Sequence, residues 1–229
     1  MSNAPTSPAD RQRVSIEVDP DREVEGLWRW PAEPRAVLVL GHGAGAGMEH
    51  PFLEALTDRL FTQRVATLRY QFHYMQVGRR RPDARSVLLA TVRAAIDLGR
   101  RVAGPLPLFA GGKSMGGRMT STAVAEQAEA GVRGLVFVGF PLHPAGRPGV
   151  ERAEHLARVE VPMLFLQGTR DKLAELDLLR PELANLGERP TLHIVEGADH
   201  GFHVLKRSGR TDEEVLDELA AEIAGWCGG

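Results

Sequence analysis

Leu106-Pro107-Leu108-Phe109-Ala110, followed by Gly111-Gly112-Lys113-Ser114-Met115-Gly116-Gly117, is the stretch that decides the fold. The apolar run is short enough to be a buried strand. The residues beyond it, Arg118 to Ala125, read as a helix. Gly112 to Gly116 is therefore G-x-S-x-G at a strand-to-helix turn, where a sharp elbow lifts the serine hydroxyl clear of the sheet. The free N–H groups at the helix start favour negative charge developing there. Gly111 and Gly117 extend the motif and allow close helix–sheet packing. With 25 Gly in the chain, a chance match at some serine is about one in twelve, so the motif needs support from the rest of the chain.

That support begins upstream. Ala36-Val37-Leu38-Val39-Leu40 is a continuous apolar run, as in strands covered on both faces. It ends in Gly41-His42-Gly43-Ala44-Gly45-Ala46-Gly47, and Pro51 then opens a helix carrying Phe52, Leu56 and Leu60. Val65 to Tyr70 is the next strand, followed by a long loop through His73 and Arg79-Arg80-Arg81-Pro82. A helix from Asp83 carries Val87, Leu88, Thr91, Val92, Ala95 and Leu98 on one face. Nearer the N-terminus, Val14–Val18 and Val24–Trp30 alternate as two antiparallel strands around the turn Asp19-Pro20-Asp21.

Downstream of the elbow, Gly134–Gly139, Pro162–Leu166 and Thr191–Val195 read as strands. Glu175–Asn185 reads as a helix. A capping box, Thr211 with Glu214, opens a last helix bearing Val215, Leu219, Ile223 and Trp226. Alternating strands and helices predict an α/β fold, a doubly wound sheet with helices on both faces. Ligands in such sheets bind beyond the carboxyl ends of the strands.

Composition narrows the functional classes. Net charge is −2, which gives no global field for nucleic acid or acidic membrane. The lone Cys227 excludes an intrachain disulfide framework and fits a reducing, cytoplasmic setting. Residues 1–12 read as a polar, flexible tail without an apolar leader core, and 13–229 as a single domain. No apolar run is long enough to span a bilayer.

Four chemically loaded loops follow predicted strands, around His42, Ser114, Asp171 and His200. Ser114 is the candidate nucleophile. Asp171 is the candidate acid, ahead of Asp177 inside a helix and Asp199 beside the histidine. His200 is the candidate base, ahead of His203, while His193 lies inside a strand and reads as a satisfied sheet residue. The histidines lack metal-ligand spacing, so no metal is expected. The loop at 41–47 lacks both G-x-x-x-x-G-K-[ST] and a full G-x-G-x-x-G. It can instead aim the Ala44 N–H at an oxyanion, paired with the Met115 N–H. His42, Lys113, Phe72, Phe140 and Arg79 are candidates for lining a substrate site. The basic runs at 79–81 and 206–210 read as ordinary solvated charge, with a place at the mouth of the site, favouring an anionic ester, as the alternative.

These loops resemble the α/β-hydrolase superfamily, and more closely its small single-domain members similar to dienelactone hydrolase. The resemblance rests on Gly41-His42-Gly43-Ala44-Gly45, on Gly112 to Gly117, on Gly168-Thr169-Arg170-Asp171 and on Asp199-His200-Gly201-Phe202. It spans about Val14 to Trp226. It implies eight strands, mostly parallel with the second antiparallel, and a Ser-Asp-His set in that chain order. Dienelactone hydrolases proper use a cysteine nucleophile, and Ser114 stands in its place here. The loops also resemble a branch of short bacterial proteins related to the hydrolase-like domain of a chromatin acetyltransferase regulatory subunit, which implies that the fold can serve as an interaction module. Only Phe140 to Glu160 separates two strands where many family members carry a lid, so no cap domain is expected. The expected function is a serine hydrolase acting on a small-molecule acyl ester through an acyl-enzyme, without cofactor. The alternatives are a thioesterase or acyltransferase of the same fold, or a non-catalytic interaction module. Oligomeric state is not legible in these residues.

Overall fold

Continuous apolar runs can be buried only when both faces of a sheet are covered, and the structure builds that arrangement. The computed structural model describes residues 11–128 and 131–229. In chain order the elements are β1 (Gln12–Asp19), β2 (Arg22–Arg29), β3 (Ala36–Gly41), α1 (Pro51–Thr62), β4 (Val65–Tyr70), α2 (His73–Gln76), α3 (Arg85–Ala103), β5 (Leu108–Lys113), α4 (Met115–Glu126), β6 (Val132–Val138), β7 (Met163–Gly168), α5 (Leu176–Ala184), β8 (Pro190–Val195) and α6 (Asp212–Gly228). The strands form one eight-stranded sheet in the order β1-β2-β4-β3-β5-β6-β7-β8. β2 runs antiparallel to both of its neighbours, and β3 to β8 pair in parallel.

Strand alternation sorts the core into two layers. Val37 and Val39 point into one, with Val92 of α3, Met119 of α4 and Leu179 of α5. Ala36, Leu38 and Leu40 point into the other, with Leu56 and Leu60 of α1 and Leu219 and Ile223 of α6. The Thr211–Glu214 capping box opens α6 as expected. No described helix is long and apolar enough to cross a membrane.

Element ends shift by a few residues from the sequence reading, and some of the differences have a physical reason. Residues 1–10 of the expected tail lie outside the described residues. Gln12, also assigned to the tail, already pairs with Trp28 at the start of β1. The loop after β4 contains the short helix α2. α3 begins at Arg85 rather than Asp83, because the Asp83 carboxylate is drawn back to an ion pair with Arg79 at 3.5 Å and lies 3.5 Å from the His73 ring. The chain after β6 holds only a short 3₁₀ turn at Glu154–Arg158 before β7, and no cap domain is built there.

Candidate active site

The elbow closes because glycine lets two backbones nearly touch. A Cβ on Gly112 or Gly116 would fall 2.2 Å from the Gly41 carbonyl oxygen. β5 therefore keeps its pairing to β3 through Gly112, and α4 can start against the end of β3. Between the two glycines Ser114 is held at φ 51°, ψ −114°, a strained conformation for a residue with a Cβ. Its N–H donates to the Val138 carbonyl at 3.1 Å, and its side chain does not cap the helix. The hydroxyl is thus free to face outward.

His200 and Asp171 come to this hydroxyl from the loops after β8 and β7. His200 Nε2 lies 2.8 Å from Ser114 Oγ. His200 Nδ1 lies 2.7 Å from Asp171 Oδ2. The ionised carboxylate can only accept, so Nδ1 carries the proton and Nε2 is left to accept from the serine. Asp171 is 3% exposed. Three donors satisfy it: His200, the Leu173 N–H at 2.8 Å and Gln167 Nε2 at 2.5 Å. The Gln167 amide is oriented in turn by the Phe140 N–H, which donates to its Oε1 at 3.0 Å.

The competing residues are engaged elsewhere. Asp199 Oδ1 accepts from the N–H groups of Gly201 and His203. Asp177 lies within α5. His203 Nδ1 bonds Asp212 and His193 Nε2 bonds Glu218.

The Gly41–Gly47 loop forms the opposite wall. His42 is fully buried, with Nδ1 donating to the Gly43 carbonyl at 2.7 Å and Nε2 accepting from the Phe72 N–H at 3.1 Å. Burial drives its pKa down to about 4, so it is a neutral strut. Tyr74 Oη accepts from the Gly45 N–H, the Gly43 carbonyl from Ala46 and the Gln71 side chain from Met48. Ala44 is exposed at the tip. Met115 opens α4, so its N–H falls outside the helix ladder.

Between these walls lies a cavity of about 370 Å³ lined by Ala44, Phe52, Leu173, Lys113, Ser114 and His200, among others. Of the five expected lining residues only Lys113 reaches it. Phe72 and Phe140 are 0% and 1% exposed and belong to the core, as does His42. Arg79 is tied to Asp83, and neither basic run contributes to the lining. A hollow of about 550 Å³ at the opposite end of the sheet is lined by Arg35, Phe109 and Trp226, far from the elbow. Sequence reasoning missed Gln167, whose signal was a polar side chain closing an otherwise apolar strand four residues before Asp171. It also missed Leu173 as part of the wall.

A family described as alpha/beta hydrolase domain matches residues 34–228. The chain belongs to that family. A dienelactone hydrolase from Anabaena variabilis is 21% identical and superposes with a TM-score of 0.74, covering 95% of this chain and 97% of the other. An alpha-beta serine hydrolase homologue from Coxiella burnetii is 18% identical at TM-score 0.74, covering 93% and 97%. A lidless serine hydrolase from Xanthomonas campestris is 19% identical at 0.74, covering 97% of both chains. At such identities the likeness is one of fold. Like the lidless relative, this alpha/beta hydrolase leaves the mouth of its elbow uncapped.

Proposed function

We propose that the chain hydrolyses small carboxylic esters through an acyl-enzyme on Ser114. The reading is carried by the unbroken hydrogen-bonded chain from Asp171 through His200 to Ser114, ending at a cavity. His200 takes the serine proton as the hydroxyl attacks the ester carbonyl. Asp171 keeps the imidazole in its Nδ1–H tautomer and stabilises the imidazolium. The Met115 and Ala44 N–H groups hold the oxyanion, each lowering the barrier by about 2.7–4 kcal/mol. His200 then protonates the departing alkoxide, and water repeats the sequence to free the acid. None of these steps calls on a metal or organic cofactor.

The cavity volume of about 370 Å³ and its apolar side chains, Phe52, Leu53 and Leu173, favour short acyl groups over long chains. The test is labelling with a fluorophosphonate probe, followed by turnover of 4-nitrophenyl esters of increasing chain length beside matched thioesters and anilides. Labelling at Ser114 with highest kcat/KM on short oxygen esters is expected. A protein that takes no probe is a binding module rather than an enzyme, and faster thioester turnover reassigns the bond cleaved.

A further inference from the structure

Lys113 ends β5 and stands immediately before the proposed nucleophile. Its Nζ donates to the backbone carbonyl of His200 at 2.6 Å. Consecutive residues therefore grip His200 at its two ends, Ser114 at the ring and Lys113 at the main chain. The path of the side chain is kept open by Gly139, where a Cβ would sit 3.1 Å from Nζ. Gly139 also has φ +71°, a conformation that disfavours any replacement.

The ammonium forms no ion pair among the described residues. Its surroundings are the Phe202 ring at 5.5 Å and the Phe52 ring at 6.0 Å, both within cation–π range. A half-buried cation without a carboxylate contact carries a desolvation cost, and a salt bridge would be the ordinary way to offset it. Here the charge is spent on a carbonyl of the base-bearing loop. A bond from a charged donor is about twice as strong as a neutral one.

We propose that Lys113 is a positioning residue, whose ammonium holds the His200 backbone so that the imidazole stays in line with the Ser114 hydroxyl. The inference rests on the hydrolase reading above. It assigns Lys113 to the turnover step rather than to capture of an anionic substrate. Burial brings the ammonium down to about 8, so the charge-assisted bond weakens as pH rises past that value. The charged and titratable groups around it are Asp171 and Asp199, which favour the ammonium, and His200 and His50, which line the same cavity.

The experiment uses a neutral ester, 4-nitrophenyl butyrate, and the fluorophosphonate probe, with wild type, Lys113→Met and Lys113→Cys before and after treatment with 2-bromoethylamine. Cys227 is buried and its thiol is pushed up to about 12, so alkylation is directed to position 113. In Lys113→Met, kcat and the labelling rate are expected to fall about 10- to 100-fold, the range for a displaced reacting group. KM is expected to stay within about threefold, since ground-state binding is untouched. The decline of wild-type kcat above a pH of about 8 should vanish in the methionine variant. Aminoethylation of Lys113→Cys, which rebuilds a lysine-length amine in a protein already folded, should restore kcat and the alkaline decline.

Unchanged kcat in Lys113→Met overturns the proposal. So does a defect confined to KM for anionic esters, which would make Lys113 a substrate counter-ion. A shifted acidic limb with an unchanged plateau would mean that the charge acts through space, not through the loop. Wild type that takes no probe removes the hydrolase reading itself. Wild type and Lys113→Met labelled at equal rates remove the role of Lys113 alone.

Discussion

Two serine–histidine hydrogen bonds of nearly equal length lie on or beside α4. Ser114 Oγ is 2.8 Å from His200, and Ser121 Oγ is 2.7 Å from His155. Their surroundings differ in every respect that matters to chemistry. Ser114 lines a cavity at the start of the helix, and its histidine has a buried carboxylate behind it. Ser121 is fully buried and its hydroxyl donates to the Arg118 carbonyl at 3.0 Å. His155 has no carboxylate partner among the described residues. Burial, and then Arg118, Arg158 and Arg85, lower its pKa to about 4. The second pair is a structural tie between α4 and the 3₁₀ turn. A short serine–histidine bond is therefore not a signature of nucleophilic chemistry. On the proposed reading, the orienting acid, the open space and the N–H groups of Met115 and Ala44 make the difference.

The contrast can be broken most decisively by deleting each hydroxyl. Ser114→Ala is expected to lower kcat on a short ester about a million-fold, as for a nucleophile acting as part of a unit. Ser121→Ala should keep kcat within about threefold of wild type, as nothing it contacts meets the substrate. Loss of activity in Ser121→Ala with retention in Ser114→Ala would invert the assignment. Next in size is Asp171→Asn, which leaves the shape intact but offers His200 an amide. A fall in kcat of about ten-thousandfold is expected, by analogy with the serine-protease triad. A tenfold fall would reduce Asp171 to a loop anchor.

Acid titration probes the neutral histidines. His42 sits at about 4 in the fold, below its ordinary 6.5. A base with a depressed folded pKa contributes stability that is complete above 6.5 and is lost as pH falls toward 4. Unfolding free energy from urea melts should drop by about 3 kcal/mol through His42 over that window. His42→Gln should flatten the drop, and an unchanged slope would refute the buried-strut role. His155 adds to the loss with the same sign, and its ring resonances should stay those of a neutral imidazole from pH 7 to 5. The smallest effect is structural: removing the Ser121 hydroxyl should lower stability by about 1 kcal/mol, read from the same melts.

Much of this was legible in the residues. Buried parallel strands write themselves as apolar runs, so β3 to β8 were found within a few positions. Each loop that ends such a strand lies at one edge by topology alone. That is why Ser114, Asp171 and His200 could be nominated from three separate parts of the chain. Side-chain direction in the loops was not legible. Phe72 and Phe140 follow strand ends, as lining residues do, but both turn into the core. Arg79 looked available until Asp83, four residues on, was seen to hold it. Gln167 was not nominated at all, because its role depends on an amide oriented by a backbone N–H from another loop.

β8 is one of the two edge strands of the sheet, paired among the described residues only with β7, and most of its residues are only partly buried. Margins of this kind fray at free energies well below that of global unfolding. On the proposed reading the loop after β8 delivers the general base, while the nucleophile sits in the middle of the sheet. Warming should therefore silence turnover reversibly, some degrees before the molecule melts.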